Sequence, residues 1–142
     1  MKALHIFFKA FMAILLFNSC DNSSQLNNNV QINDMMIRIS EIEIHANYLQ
    51  EYNAILKEES AASVRLEPGV IAIYPMYQKD NPTQIRILEM YKNKGAYESH
   101  LKTPHFQKYK TTTIKMVKAL RLIDMEAIDA ETMPQIFYKL NK

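Results

Sequence analysis

Cysteine is nearly missing from this chain: one occurs in 142 residues, at Cys20. Without a second, an intrachain disulfide and a CxxC metal or redox pair are both excluded, and stability has to come from packing. Glycine is almost as scarce, and Gly69 and Gly95 alone cannot build a loop that cradles a phosphate or a dinucleotide. Runs of basic residues are also lacking. Nucleic acid, which needs a cationic stripe against its phosphates, is therefore set aside as a partner. No apolar run reaches the roughly 20 residues of a permanent membrane span.

What is present begins with an export signal. Lys2 and Lys9 make a positive start, Ala10 to Phe17 is an unbroken apolar run, and Ser19 with Cys20 closes it, in signal-peptide order. Phe17-Asn18-Ser19-Cys20 resembles the lipobox of bacterial lipoproteins, which places lipid on Cys20 after residues 1–19 are removed. The expectation is an exported lipoprotein facing the periplasm or the cell exterior, touching membrane through that anchor only; an ordinary secretory signal is the alternative. Cleavage takes two lysines from the 17 basic residues and leaves 15 against 15 acids. Residues 20–35, rich in Asn and Ser, hold too few apolar side chains to pack and read as a flexible tether.

From Met36 the texture changes to that of one α+β domain, residues 36–128. IRISEIEIH alternates as a strand does, but its phase slips: Ile37 and Ile39 share one face, Ile42 and Ile44 the other. A bulge near Ser40, or burial on both faces, accounts for this. Asn47 with Gln50 forms a capping box for a helix carrying Leu49, Tyr52, Ile55, Leu56, Ala62 and Leu66, stopped by Pro68-Gly69. VIAIYPMY is a second strand, placed at an edge or bulge by Pro75. KDNPT turns it into a third, QIRILEMY. Asn93 caps a helix that Thr103-Pro104 restarts with a kink and carries to about Lys118. ALRLIDMEAI is the fourth strand, and the tail, residues 129–142, ends in IFYKL, a short strand of its own. The order βαββαβ is the ferredoxin-like split βαβ: a four-stranded antiparallel sheet with helices on one face. Both phases of VIAIYPMY are apolar, so the open face is expected to be buried against a second copy in a homodimer.

Three histidines follow the signal: His45, a strand-end residue, and His100 and His105 around the kink. On a continuous helix five residues rotate the second about 140° from the first, and no clustered carboxylate is evident, so no metal is assigned. His100 stands among aromatics, with Tyr97 one turn before it and Tyr91 just upstream. A neutral imidazole there can take a proton from a phenol or hydroquinone while tyrosine hydroxyls position the substrate oxygen. A half-buried structural histidine is the competing reading.

The segment ILEMYKNKGAYESHLKTPHFQKY, with EPGVIAIYPM before it, resembles the antibiotic biosynthesis monooxygenase (ABM) domain, particularly its quinol monooxygenase branch. Glu89-x-Tyr91, Ala96, His100-Leu101-x-Thr103-Pro104-His105 and Phe106-x-x-Tyr109 follow its pattern from about Met36 to Ile128. The resemblance implies a dimeric α/β barrel with a pocket between sheet and helices in each protomer. It also implies oxidation of a small hydrophobic or phenolic substrate by O2 with no metal, flavin or haem. His100, Tyr91 and Tyr97 are then the catalytic candidates, and Tyr74, Met76, His105 and Phe106 the substrate-binding ones. Many members carry Trp where Tyr91 stands. The haem-degrading branch places Asn, Trp and a haem-ligating His at the positions of Ser40, His100 and Lys110, and none is kept. Two other functions share the same pocket: a module that binds a small hydrophobe without turning it over, and an isomerase of a small oxygenated metabolite.

Overall fold

The structure, a computed structural model, describes residues 34–129 and 131–141; the expected signal segment, Cys20 and the expected tether up to residue 33 lie outside them. Four strands, β1 (Met36–Ile44), β2 (Val70–Gln78), β3 (Asn81–Tyr91) and β4 (Val117–Met125), form one antiparallel sheet in the order β2-β3-β1-β4. The helices are α1 (Leu49–Leu66), α2 (Lys94–His100), α3 (Pro104–Thr113) and α4 (Thr132–Leu140). This is the ferredoxin-like arrangement, with β2 and β4 at the edges. Pro75 therefore stands in an edge strand, where a missing N–H costs no inner ladder bond.

The phase slip of β1 has another cause than a bulge at Ser40. The strand is regular there, and the register irregularity comes only between Glu43 and Ile44. Arg38, Ser40, Ile42 and Ile44 face the helices and are buried, whereas Ile37, Ile39, Glu41 and Glu43 face the other way. Two polar residues sit on the inner face where apolar ones were expected. They form part of the floor of a cavity.

Helix α1 starts later than its sequence suggests. A 3-10 turn, Ala46–Tyr48, precedes it, Tyr48 takes the N-cap position without a side-chain bond, and Asn47 caps nothing. The backbone leads instead, with His45 N–H donating to the Met116 carbonyl at 2.9 Å and Tyr48 N–H to the His45 carbonyl at 2.9 Å. Along α1 the buried line is Tyr52, Leu56, Glu59 and Ser63, with Ser60 beside it, so three of five buried residues are polar. The helix ends at Leu66 because Pro68 disfavours helical backbone at Glu67, which is extended at φ −105°, ψ 108°.

The strand-to-strand turn is Lys79-Asp80, and β3 begins at Asn81, earlier than expected. The kinked helix is two helices: α2 ends at His100, α3 starts at Pro104 and ends at Thr113, and Lys118 belongs to β4. Asn93 accepts from Ala96 N–H at 2.9 Å and Thr103 Oγ1 from Phe106 N–H at 3.4 Å, so both predicted caps are in place. IFYKL is helical, within α4; Met133, Ile136, Phe137 and Leu140 recur at helical spacing, which overrides the strand reading. The core joins Ile42 and Ile44 of β1, Tyr52 and Leu56 of α1, Val70 and Ile73 of β2, Ile85, Ile87 and Tyr91 of β3, and Met116. No helix among the described residues is long and apolar enough to cross a membrane.

Candidate active site

A cavity of about 600 Å³ lies between the sheet and the α2-α3 pair. Its floor is the inner face of the sheet, including Arg38, Ser40, Ile42, Glu89 and Tyr91, and Leu120 and Leu122 extend it along the β4 edge. Tyr97, His100, Phe106 and Tyr109 stand across from it on α2 and α3. The sequence candidates His100, Tyr91, Tyr97 and Phe106 are thus brought together. Ring centroids lie 5.4 Å apart for Tyr91 and His100, 5.3 Å for Tyr91 and Tyr97, and 4.6 Å for His100 and Phe106.

Tyr74 and Met76 are not part of this cavity. Strand alternation pairs them with Leu88 and Arg86 on the open face of the sheet, opposite the face that carries Glu89 and Tyr91. They line a separate groove of about 570 Å³ between α1 and β2. His105 does not line the main cavity either; it is linked through Glu67 to His100, which does.

His100 is 2% exposed. Its Nδ1 is 3.0 Å from Glu67 Oε1, and His105 Nε2 is 2.5 Å from the same oxygen. A carboxylate only accepts, so both ring nitrogens carry hydrogen and donate. Burial alone would raise the Glu67 carboxyl, but the bonds from His100 and His105 outweigh it and hold the group below its ordinary value. On the other side of the ring, His100 Nε2 lies 3.8 Å from Glu59 Oε1. Burial pushes the Glu59 carboxyl up, against the opposing pull of the Ser63 hydroxyl, which donates to it at 2.8 Å, and of His100. With its Nδ1–H given to Glu67, His100 keeps Nε2 as a proton acceptor.

The convergence of two histidines on one carboxylate removes the angular argument made for a continuous helix. Leu101 to Thr103 break it, so the 140° rotation does not apply. Glu67, absent from the sequence candidates, supplies the carboxylate. One donor atom each from Glu67, His100 and His105 lies within 4.8 Å of the others, and among the described residues this is the group able to hold a metal ion.

The cavity floor carries a second polar network. Glu89 accepts the Tyr91 hydroxyl at 2.8 Å and the Ser40 hydroxyl through a shorter contact. Burial, then the Glu89 charge, pushes the Tyr91 phenol well above its ordinary value, so it stays protonated with its hydrogen committed to Glu89. Only its oxygen lone pairs remain for a ligand. Arg38 bonds Asp124 at 2.7 Å and lies 4.7 Å over the Tyr97 ring, fixing that aromatic wall. Tyr52 and Tyr109 join hydroxyls at 2.6 Å; burial raises both, Tyr52 to about 12.

A ferredoxin-like domain with an aromatic and imidazole cavity between sheet and helices is the class these features define. Comparison with known proteins agrees. The antibiotic biosynthesis monooxygenase family matches residues 35–112. A solved structure of a putative antibiotic biosynthesis monooxygenase from Bacteroides thetaiotaomicron is 47% identical, with a TM-score of 0.68, covering 69% of this chain and 93% of its own. A putative monooxygenase from Lactobacillus acidophilus is 28% identical at a TM-score of 0.64, covering 66% of this chain and 44% of its own. A Nitrosomonas europaea protein of the first description shares the fold at 18% identity and a TM-score of 0.63, covering 67% and 91%. No functionally curated protein matches significantly. This chain belongs to the antibiotic biosynthesis monooxygenase family.

Proposed function

We propose that this chain is a monooxygenase that oxidises a quinol or another small phenol with O2, without a bound cofactor. The observation that carries the reading is the placement of His100, nearly inaccessible to bulk water, in the wall of an aromatic cavity with one ring nitrogen held by an ionised carboxylate. Holding one nitrogen fixes the tautomer and leaves the other with the lone pair that a general base requires.

The chemistry needs little more. His100 Nε2 takes the substrate hydroxyl proton, and the electron-rich anion reduces O2 within the aromatic cavity. One oxygen atom is retained by the substrate; the other leaves as water, taking protons back from the site. A hydroquinone would thereby become a hydroxyquinone, with the substrate supplying all the electrons. Tyr97 and Phe106 provide ring contacts, Tyr91 an acceptor oxygen, and Glu67 the orientation of the base.

An oxygen-electrode assay of the purified chain against a panel of hydroquinones and phenols tests this. Substrate-dependent uptake with a hydroxylated or quinone product supports it. Tight binding without uptake supports the binding module instead, and conversion without uptake the isomerase. The same proposal includes the anchor at Cys20 and a homodimer formed through the open sheet face. A lipid anchor would bring the cavity close to membrane quinols, a natural substrate pool.

A further inference from the structure

Glu67 at the end of α1, His100 at the end of α2 and His105 in the first turn of α3 each place one donor atom within 4.8 Å of the other two. We infer that these three residues form a binding site for a divalent transition-metal ion of the zinc class. Two imidazole nitrogens and one carboxylate oxygen are a donor set of that class. Calcium and magnesium prefer oxygen throughout, and a soft monovalent ion such as Cu(I) prefers sulfur. Three protein ligands with a position left for water is the pattern of an open zinc site.

The spacing is close to what an ion needs. Donors about 2.1 Å from a tetrahedral ion lie about 3.4 Å from one another. Here Glu67 Oε1 stands 3.0 Å from His100 Nδ1 and 2.5 Å from His105 Nε2. Less than about 1 Å of opening brings these two contacts to the tetrahedral separation, and the two histidine donors lie within 4.8 Å of each other. The site has an outlet as well, because the His105 side chain is 20% exposed while that of His100 is 3% exposed.

An independent feature stands behind His100. A histidine that ligates a metal through one nitrogen usually donates its other N–H to a carboxylate, which orients the ring and raises its basicity. Glu59 lies beside that nitrogen, 5% exposed, with Oε1 3.8 Å from His100 Nε2, a gap a small ring movement would close to a hydrogen bond, and is itself held by Ser63. In the metal-bound state both imidazoles switch tautomer. His100 Nδ1 and His105 Nε2 give up their hydrogens to bind the ion, and each ring keeps its proton on the other nitrogen, at Nε2 of His100 facing Glu59. No net proton is released. His100 then has no lone pair left to accept a substrate proton, so the ion inhibits the reaction; only this consequence rests on the proposed function.

Calorimetric titration of the purified, chelator-treated chain with zinc chloride reads the site without any substrate. The expected result is saturable binding of one ion per chain at this cluster. His105→Ala should weaken it at least about tenfold, and Glu59→Gln by about 10 to 100-fold through loss of the outer carboxylate. His105 is the partly exposed ligand, so its variant is the one best able to fold, and Glu67→Gln is the second probe. Absence of saturable binding to the parent chain, or an unchanged affinity in His105→Ala, overturns the inference. Zinc that binds at this site without slowing O2 uptake on a substrate the parent oxidises contradicts the inhibitory role.

Discussion

Burying an acid beside an imidazole sets opposite pH dependences on two residues of one site. For Glu59 burial raises the carboxyl in the folded chain, so the folded state binds that proton more tightly than the unfolded state. Its contribution is favourable at low pH and is lost as pH rises through the raised folded value. Glu67 is the reverse: its lowered value makes its contribution present above the ordinary carboxylate range and lost as pH falls. Glu59→Gln, which keeps an oxygen for Ser63, is therefore expected to gain stability relative to the parent at pH 8 more than at pH 4. Thermal melts at the two values check this, and a larger loss at pH 8 would contradict it. Tyr91→Phe removes one bond to a charged group and should cost about 1.5–3 kcal/mol, read from urea denaturation. At this scale the sequence exposed the aromatic half of the site and hid the ionic half. Tyr91, Tyr97 and His100 were legible because aromatic residues gather around a histidine at helical and strand spacing, and Phe106 through the family resemblance. Glu59, Ser60 and Ser63 lie on the buried face of α1, where an apolar-periodicity reading assigns polar residues to solvent. Arg38 and Ser40 left a trace, the phase slip in β1, although its cause is a polar cavity floor.

The elements hold the site through the spaces between them. Glu67 leaves α1 because a proline lies one residue on. Gly69 lets α2 pack against the Pro68-Gly69 turn: a Cβ there would stand 2.5 Å from Ala96 Cβ, too close without movement. Gly69→Ala should cost about 1–3 kcal/mol by overpacking and displace α2 with His100. Combining it with Ala96→Gly should recover part of the loss, less the helix cost of about 1 kcal/mol. Urea midpoints of the single and double variants decide; equal destabilisation by Gly69→Ala with and without Ala96→Gly would show that the contact is not the cause. Thr103 caps α3 and its hydroxyl donates to the His100 carbonyl at 2.9 Å, tying together the two helices that carry the histidines. Element order and types through β4 were legible from caps, prolines and alternation, and both the Asn93 and Thr103 caps were found. The separation of α2 from α3 was not, because Thr103-Pro104 marks a kink and a new helix with the same residues. Tyr74 and Met76 were misplaced for a related reason: in a strand apolar in both phases, pattern alone cannot say which face meets the helices.

At the scale of the whole molecule, no helix among the described residues covers the second face of the sheet. Ile37, Ile39, Leu88 and Ile123 share that face, half-buried, with Tyr74, Met76 and Met125 more exposed around them. Glu41 with Arg86 and Arg121, and Glu43 with Lys118, make a charged border at one end. A specific interface buries about 800 Å² per partner, and an apolar centre with a charged rim is suited to one. Light scattering of the purified chain should give a dimer at micromolar concentration, and Leu88→Arg, at the centre of the face, should give a monomer. A parent chain that is monomeric at that concentration would refute the interface. The central claim is proton transfer to His100 during O2-dependent oxidation, and substrate-dependent O2 uptake by the parent and by His100→Ala, with circular dichroism on both, tests it most directly. Loss of a general base predicts a fall of about 100 to 10,000-fold in the variant, with the fold intact; uptake by a folded His100→Ala chain at the parental rate would contradict the account.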